Sequence, residues 1–291
     1  GLDVTGVVTA TSFSGSGANL TGIAKSISDL TDATTNANGF TIGLGLGALA
    51  DDDGTHNNNI AIGHSALARA DNSYGNIAIG VGAGQSMTGS SANRNVLIGE
   101  STGRRFLDDA QGSVAIGYSA LSTMYTTSGF PIAIGAGAMA SKQYGGYTVA
   151  IGGNALNAMD TAGDFSVVMG AFAVEHSTSG CDYSVVIGSS AGPRWTGNQS
   201  VLIGASVCSG TFATGDRNVY LGYQAAYTDA DGDNNVALGW RAMYSIDSGA
   251  HNNVVLGSNA AYAITDGADN VILGYQAGYT GTNNLTTGRN N

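Results

Sequence analysis

One short unit is written fourteen times along this chain, and that repetition limits the possible folds more than any single residue. The unit is clearest at Val114-Ala115-Ile116-Gly117: a small polar residue, a β-branched residue, a variable apolar one, Ile or Leu, Gly, two variable residues, then Ala. Its anchor glycines are Gly45, Gly63, Gly80, Gly99, Gly117, Gly135, Gly152, Gly170, Gly188, Gly204, Gly222, Gly239, Gly257 and Gly274, spaced 16 to 19 residues apart. A short, nearly fixed period marks a solenoid, in which each unit buries its apolar face only by stacking on its neighbours.

Three residues before the glycine every copy carries Val or Ile, and one residue before it stands Ile or Leu, with Met169 the exception. Side chains two apart share a face of a strand, so these columns form one apolar ridge, expected to be the inside of each coil. The column between them points the other way, yet it too is apolar: Ala61, Ala78, Leu97, Ala115, Ala133, Ala150, Val168, Val186, Leu202, Tyr220, Ala237, Val255 and Ile272. Strands apolar on both faces are buried on both faces. A solenoid one coil thick has a single inside, so these thirteen residues are expected to form an interface with another copy of the chain.

The remaining columns are simpler. The anchor glycine permits a bend at positive φ, or a backbone approach too close for a Cβ. Three residues later comes Ala, except at Thr102 and Val207, which demands tight packing on a side the sequence leaves open. The residue just after the glycine is heterogeneous (His64, Glu100, Tyr118, Ser189, Trp240), the mark of a solvent-facing position. Four residues before it stand seven Asn, four Ser, two Thr and Pro131, turn formers whose stacked copies can build a hydrogen-bonded ladder.

The repeat makes residues 39–291 one elongated domain of about 14 coils, roughly 60 Å long at the usual strand spacing. Residues 1–38 precede it as a strand-and-turn connector, with strands in Asp3–Phe13, room for a helical turn in Ala24–Thr34, and too little chain to bury a core alone. At the other end the chain is expected to stop in mid-repeat, near Asn290 and Asn291. The fold class expected is therefore all-β, a parallel β-solenoid.

Asp supplies nearly all the 21 acidic residues, in keeping with strands and turns rather than helices. The net charge of −11 argues against a nucleic-acid partner, which needs clustered Lys and Arg; the adjacent Arg104 and Arg105 read as a solvated turn. No apolar run is long enough to span a membrane and no signal peptide opens the chain, so no membrane insertion is expected. Cys208 occupies an apolar slot and reads as a buried thiol, Cys181 lies in a loop, and a bond between them is left open.

Asn76-Ile77-Ala78-Ile79-Gly80 and Ser113-Val114-Ala115-Ile116-Gly117 resemble the head repeats of trimeric autotransporter adhesins. Asn270-Val271-Ile272-Leu273-Gly274-Tyr275-Gln276-Ala277-Gly278 looks still more like repeats in bacteriophage tail-fibre proteins. The opening Val4–Phe13 and Leu20–Ile23 are similar to segments of marine-phage structural proteins. These resemblances imply a left-handed β-roll, an intertwined homotrimer, and a place in a virion tail fibre. The partners implied are other virion tail proteins and a host-surface glycan or protein. An adhesin head on a bacterial surface is the second reading, and a glycan-cleaving tailspike the third.

No catalytic motif or cofactor signature stands out. His56, His64, His176 and His251 are scattered, and no carboxylate pair suits sugar hydrolysis. Tyr118, Tyr223, Trp240 and Tyr275, each just after an anchor glycine, are candidate receptor or glycan contacts. Asp229, Asp231 and Asp233 resemble the start of a calcium loop, but Trp240 stands where its closing Glu belongs, and a solvated turn is the competing reading.

Overall fold

A computed structural model describes residues 33–35, 40–52, 58–88, 92–106, 111–124, 129–141, 146–158, 164–177, 179–210, 213–228, 231–246, 250–264 and 267–279. The fold is a parallel β-solenoid. Every copy of the repeat supplies one three-residue strand, from Ile42–Leu44 to Val271–Leu273, and these fourteen strands pair in parallel in sequence order. The register is constant, so equivalent residues stack: Val114 on Ile132, Ala115 on Ala133, Ile116 on Ile134. A fifteenth strand, Ala33–Thr35, pairs antiparallel with Ile42–Leu44 and covers that edge of the sheet. Residues 33–35 of the connector are thus extended, not helical; 1–32, 36–39 and the end of the chain beyond 279 lie outside the described residues.

The faces of the strand are reversed from the sequence expectation. The middle column, Ala61, Ala78, Leu97, Ala115, Ala133, Ala150, Val168, Val186, Leu202, Tyr220, Ala237, Val255 and Ile272, lies inside the coil of a single chain, all but Ile272 wholly buried. It is therefore not a surface left for a neighbouring chain. The Val/Ile/Leu pair that flanks it points outward and is half-buried along the stack, becoming exposed at Val271 (58%) and Leu273 (62%). The inward column takes Ala at six of these rungs and Val, Leu, Ile or Tyr at seven, so closure of the coil over the middle residue, and not side-chain size alone, decides which face is inside.

The chain closes back on the sheet through the residues after the glycine. The third residue on (Ala66, Ala120, Ala225) and the fourth (Leu67, Leu121, Ala226) both turn inward and are fully buried, so the conserved size of that Ala column is set by the coil interior. The two inward sites compensate in volume. Where the strand offers Ala115, Ala133 or Ala150, the later site holds Leu121, Met139 or Leu156; where it offers Leu97 or Tyr220, the later site is Gly103 or Ala226. The rung of Ala78 and Gly84 is small at both sites, and there the buried Met87 lies against Gly84; at the other rungs named, close packing at constant coil width accounts for the trade.

The anchor glycine is required twice over. Its φ lies between +124° and +144°, and a Cβ would meet the carbonyl of the next anchor: at Gly135, the oxygen of Gly152 would be 2.4 Å away. Glycine rows thus sit backbone on backbone up the stack, which no side chain tolerates.

The polar column before the strand forms the expected ladder, inside the protein. Asn76 donates its N–H to Asn59 Oδ1 (3.0 Å) and Asn95 donates its own to Asn76 Oδ1 (2.9 Å). The same contacts link Asn218, Asn235, Asn253 and Asn270. Between them, Ser184 and Ser200 donate to the hydroxyls of Ser166 and Ser184, and Asn218 to that of Ser200. Pro131 interrupts the row because it has no N–H. The Ser113 hydroxyl one rung earlier is consequently buried without a partner.

Candidate functional surfaces

Tyr118, Tyr223, Trp240 and Tyr275 all reach solvent, as the heterogeneity of their column implies. They do not form one platform. Tyr223 and Trp240 sit on adjacent rungs and Tyr275 two rungs further on, whereas Tyr118 lies six rungs from Tyr223, about 29 Å at ordinary strand spacing. Trp240 is also partly committed, since the Arg241 guanidinium lies 4.5 Å from its ring centre. Arg241 in turn donates to Gln224 Oε1 (2.8 Å) and covers Tyr244 at 5.3 Å.

Two aromatic columns escaped the sequence reading. Five residues before the glycine, Phe130, Tyr147, Phe165 and Tyr183 stack on successive rungs, with ring centres 5.7, 5.3 and 5.1 Å apart. Five residues after it, Tyr227, Tyr244, Tyr262 and Tyr279 do the same at 5.0, 4.8 and 5.1 Å. Aligning the copies beyond the strand would have found both. Four of the six pairs are stacked face to face, Phe130 meets Tyr147 edge-on at 60° and Tyr279 is tilted 47° from Tyr262, so the columns lock neighbouring rungs together. Burial pushes the Tyr244 hydroxyl above its ordinary pKa; Tyr262 and Tyr227 push in the same direction and Arg241 opposes them.

A second polar ladder was also missed, six residues before the glycine. Here the bond runs up the stack. The N–H of Asp164 donates to Asp182 Oδ1 (2.8 Å), Asp182 to Asn198 Oδ1 (2.9 Å), Asn198 to Asp216 Oδ1 (2.7 Å) and Asp216 to Asp233 Oδ1 (2.7 Å). His251 ends the row, its Nδ1 accepting from the Asp233 N–H at 3.0 Å.

This ladder accounts for Asp233 of the calcium-like stretch. Asp233 is a rung with Arg217 Nη2 at 3.9 Å, and Asp231 accepts from the Thr214 hydroxyl at 2.5 Å. The two carboxylates turn to different partners, and Asp229 lies outside the described residues. Among the described residues no three His, Cys, Asp or Glu side chains are grouped to hold a metal ion. His64 and His176 are on the surface, and His56 is outside the described residues. Cys181 and Cys208 are both buried and form no disulfide. No helix among the described residues is long and apolar enough to cross a membrane.

The chain matches no family model, no curated protein and no solved structure.

Proposed function

We propose that this chain is part of a non-catalytic structural fibre of a phage virion, a tail-fibre shaft or host-surface-binding stretch, assembled as an intertwined homotrimer of left-handed β-rolls. The observation that carries the reading is the outward apolar strip of Val, Ile and Leu, with Met169 at one rung. It runs from Ile42 and Leu44 to Val271 and Leu273, over roughly 60 Å. A continuous apolar strip of that length on one chain marks an interface. Identical strips on identical chains are satisfied by rotational symmetry about a common axis. The doubly apolar sheet therefore still asks for partner chains, with the interface on the flanking residues and not on the middle column. The phage assignment rests on the tail-fibre-like unit at Asn270–Gly278 and the opening segment. A rigid spacer needs stiffness rather than an active site, and the glycine stack and buried ladders supply it. Other tail proteins at its ends and a host glycan or protein along its surface are its partners.

Light scattering on the intact chain tests the assembly, with three chain masses expected. Val254→Lys with Leu256→Lys, placed on the outward strip where both side chains are partly exposed, leaves the coil interior untouched and is expected to weaken the trimer. A well-folded wild-type monomer at micromolar concentration refutes the proposal.

A further inference from the structure

Three of the chain's 10 Lys and Arg residues, Arg69, Arg104 and Arg105, meet at one place on the surface. Consecutive rungs bring them there. Arg69 follows Gly63, Gln85 and Ser86 follow Gly80, Arg104 and Arg105 follow Gly99, and Tyr118 follows Gly117. The backbone fixes their order, because Ser86 N–H donates to Arg104 O (2.9 Å) and Arg105 N–H to Ser122 O (3.0 Å).

Two open clefts share the arginine pair. One, of about 320 Å³, is lined by Arg69, Gln85, Ser86 and the pair; the other, of about 370 Å³, by the pair with Tyr118, Ser101 and Ser119. Other arginines are committed elsewhere: Arg94 covers Tyr74, Arg217 bonds Asn234 and faces Asp233, and Arg241 bonds Gln224. At the clefts, Arg104 Nε donates to Gln85 Oε1 (3.1 Å), which orients its fork and leaves the terminal nitrogens to the solvent. Among the described residues no carboxylate lies within ion-pair distance of Arg69, Arg104 or Arg105. Tyr118 is 61% exposed, and no ring or guanidinium among the described residues covers it.

We propose that these two clefts bind an acidic saccharide, the arginine pair taking a carboxylate or sulfate carried on the sugar, the serine hydroxyls and Gln85 its ring hydroxyls, and Tyr118 its apolar face. Guanidinium forks match such oxyanions in two-bond geometry. At physiological salt the screening length is about 8 Å, so acids several rungs away contribute little; the nearby ones set against the three arginines are Glu100, whose carbonyl accepts the Ser119 N–H, and Asp51, whose N–H donates to Ala68 O beside Arg69. A polynucleotide fits less well, since its affinity grows with a long track of cations and this cluster stops at three. The site belongs to one chain and does not depend on the fibre reading.

The test is calorimetric titration of the intact protein with four tetrasaccharides or anions: an oligouronate, a sulfated oligosaccharide, a neutral glucan, and inorganic phosphate, with a single-stranded oligonucleotide as a fifth probe. Expected is binding of the acidic sugars that weakens as salt is added, with the neutral glucan at least about tenfold weaker. The order of uronate and sulfate assigns the acidic group. Arg104→Ala with Arg105→Ala is expected to lose about tenfold or more, and Arg104→Lys with Arg105→Lys to fall between, because Lys keeps charge without the fork. Arg217→Ala, on the distant carboxylate ladder, retains full affinity. The proposal is overturned if no acidic sugar binds, if the neutral glucan, phosphate or oligonucleotide binds as tightly, or if the double alanine variant keeps its affinity with an unchanged circular-dichroism spectrum. Mass measured on the same samples separates the two proposals: a monomer that binds refutes only the fibre.

Discussion

Replacing serine by alanine in the buried polar column should have opposite effects at Ser184 and Ser113. At Ser184 the hydroxyl donates to Asp182 O (3.1 Å) and accepts the Ser200 N–H (3.2 Å), in a site excluded from water. Ser184→Ala removes both bonds, each worth about 0.5–1.5 kcal/mol net, and leaves the Ser200 N–H buried with no acceptor on that side chain. A loss of roughly 2–3 kcal/mol follows. At Ser113 the backbone N–H keeps its bond to Asn95 Oδ1 (2.8 Å) after substitution, while the hydroxyl has no partner to lose. Removing a buried unpaired hydroxyl relieves its desolvation, so Ser113→Ala is expected to be neutral or to stabilise by up to about 1 kcal/mol. Both changes delete the same atom from the same column, which cancels differences in propensity. A stacked repeat opens locally, so urea unfolding should be paired with amide hydrogen exchange across residues 196–204 and 110–118. Faster exchange near Ser200 in the first variant and unchanged or slower exchange in the second is the expected result. If Ser113→Ala destabilises as much as Ser184→Ala, the ladder is not what holds this column together.

The interior should show coupling between neighbouring rungs. A Cβ on Gly84 would come within 2.7 Å of Leu67 Cδ2, 2.9 Å of Met87 Sδ and 3.0 Å of Leu97 Cδ1, so Gly84→Ala is expected to cost roughly 0.5–1 kcal/mol less in a Leu67→Ala background than in the wild type, a coupling readable from a double-mutant cycle; strict additivity would refute close packing between these rungs. The tyrosine stack should weaken in alkali. Because the folded chain holds Tyr244 protonated beyond the ordinary value, its contribution is complete below about pH 10, where the unfolded chain begins to ionise, and is lost as pH rises through the folded value. Melting temperatures measured from pH 9 to 11.5 should fall, and fall less steeply in Tyr244→Phe.

The repeat, the strand at each copy, the glycine bend and the polar ladder were all legible in the sequence, because each rests on a column that must be filled the same way in every copy. Gly117 and Asn76 announce themselves through their equivalents at Gly135 and Asn95, stacked directly on them. What a column cannot reveal is which side of the strand faces in. Alternation labels Ala115 and its neighbours Val114 and Ile116 as opposite faces, and both are apolar, so hydrophobicity gives no sign. Only closure of the coil decided it: Ala120 and Leu121 turn inward with Ala115 and leave Val114 and Ile116 on the outer face, while other rungs take Val, Leu or Tyr at the same inward position. The same limit applied to the surface. The spacing of Tyr118 from Tyr223, the commitment of Trp240 to Arg241, and the meeting of Arg69 with Arg104 and Arg105 depend on how rungs stack and loops fold over them, which is a property of three dimensions and not of order along the chain.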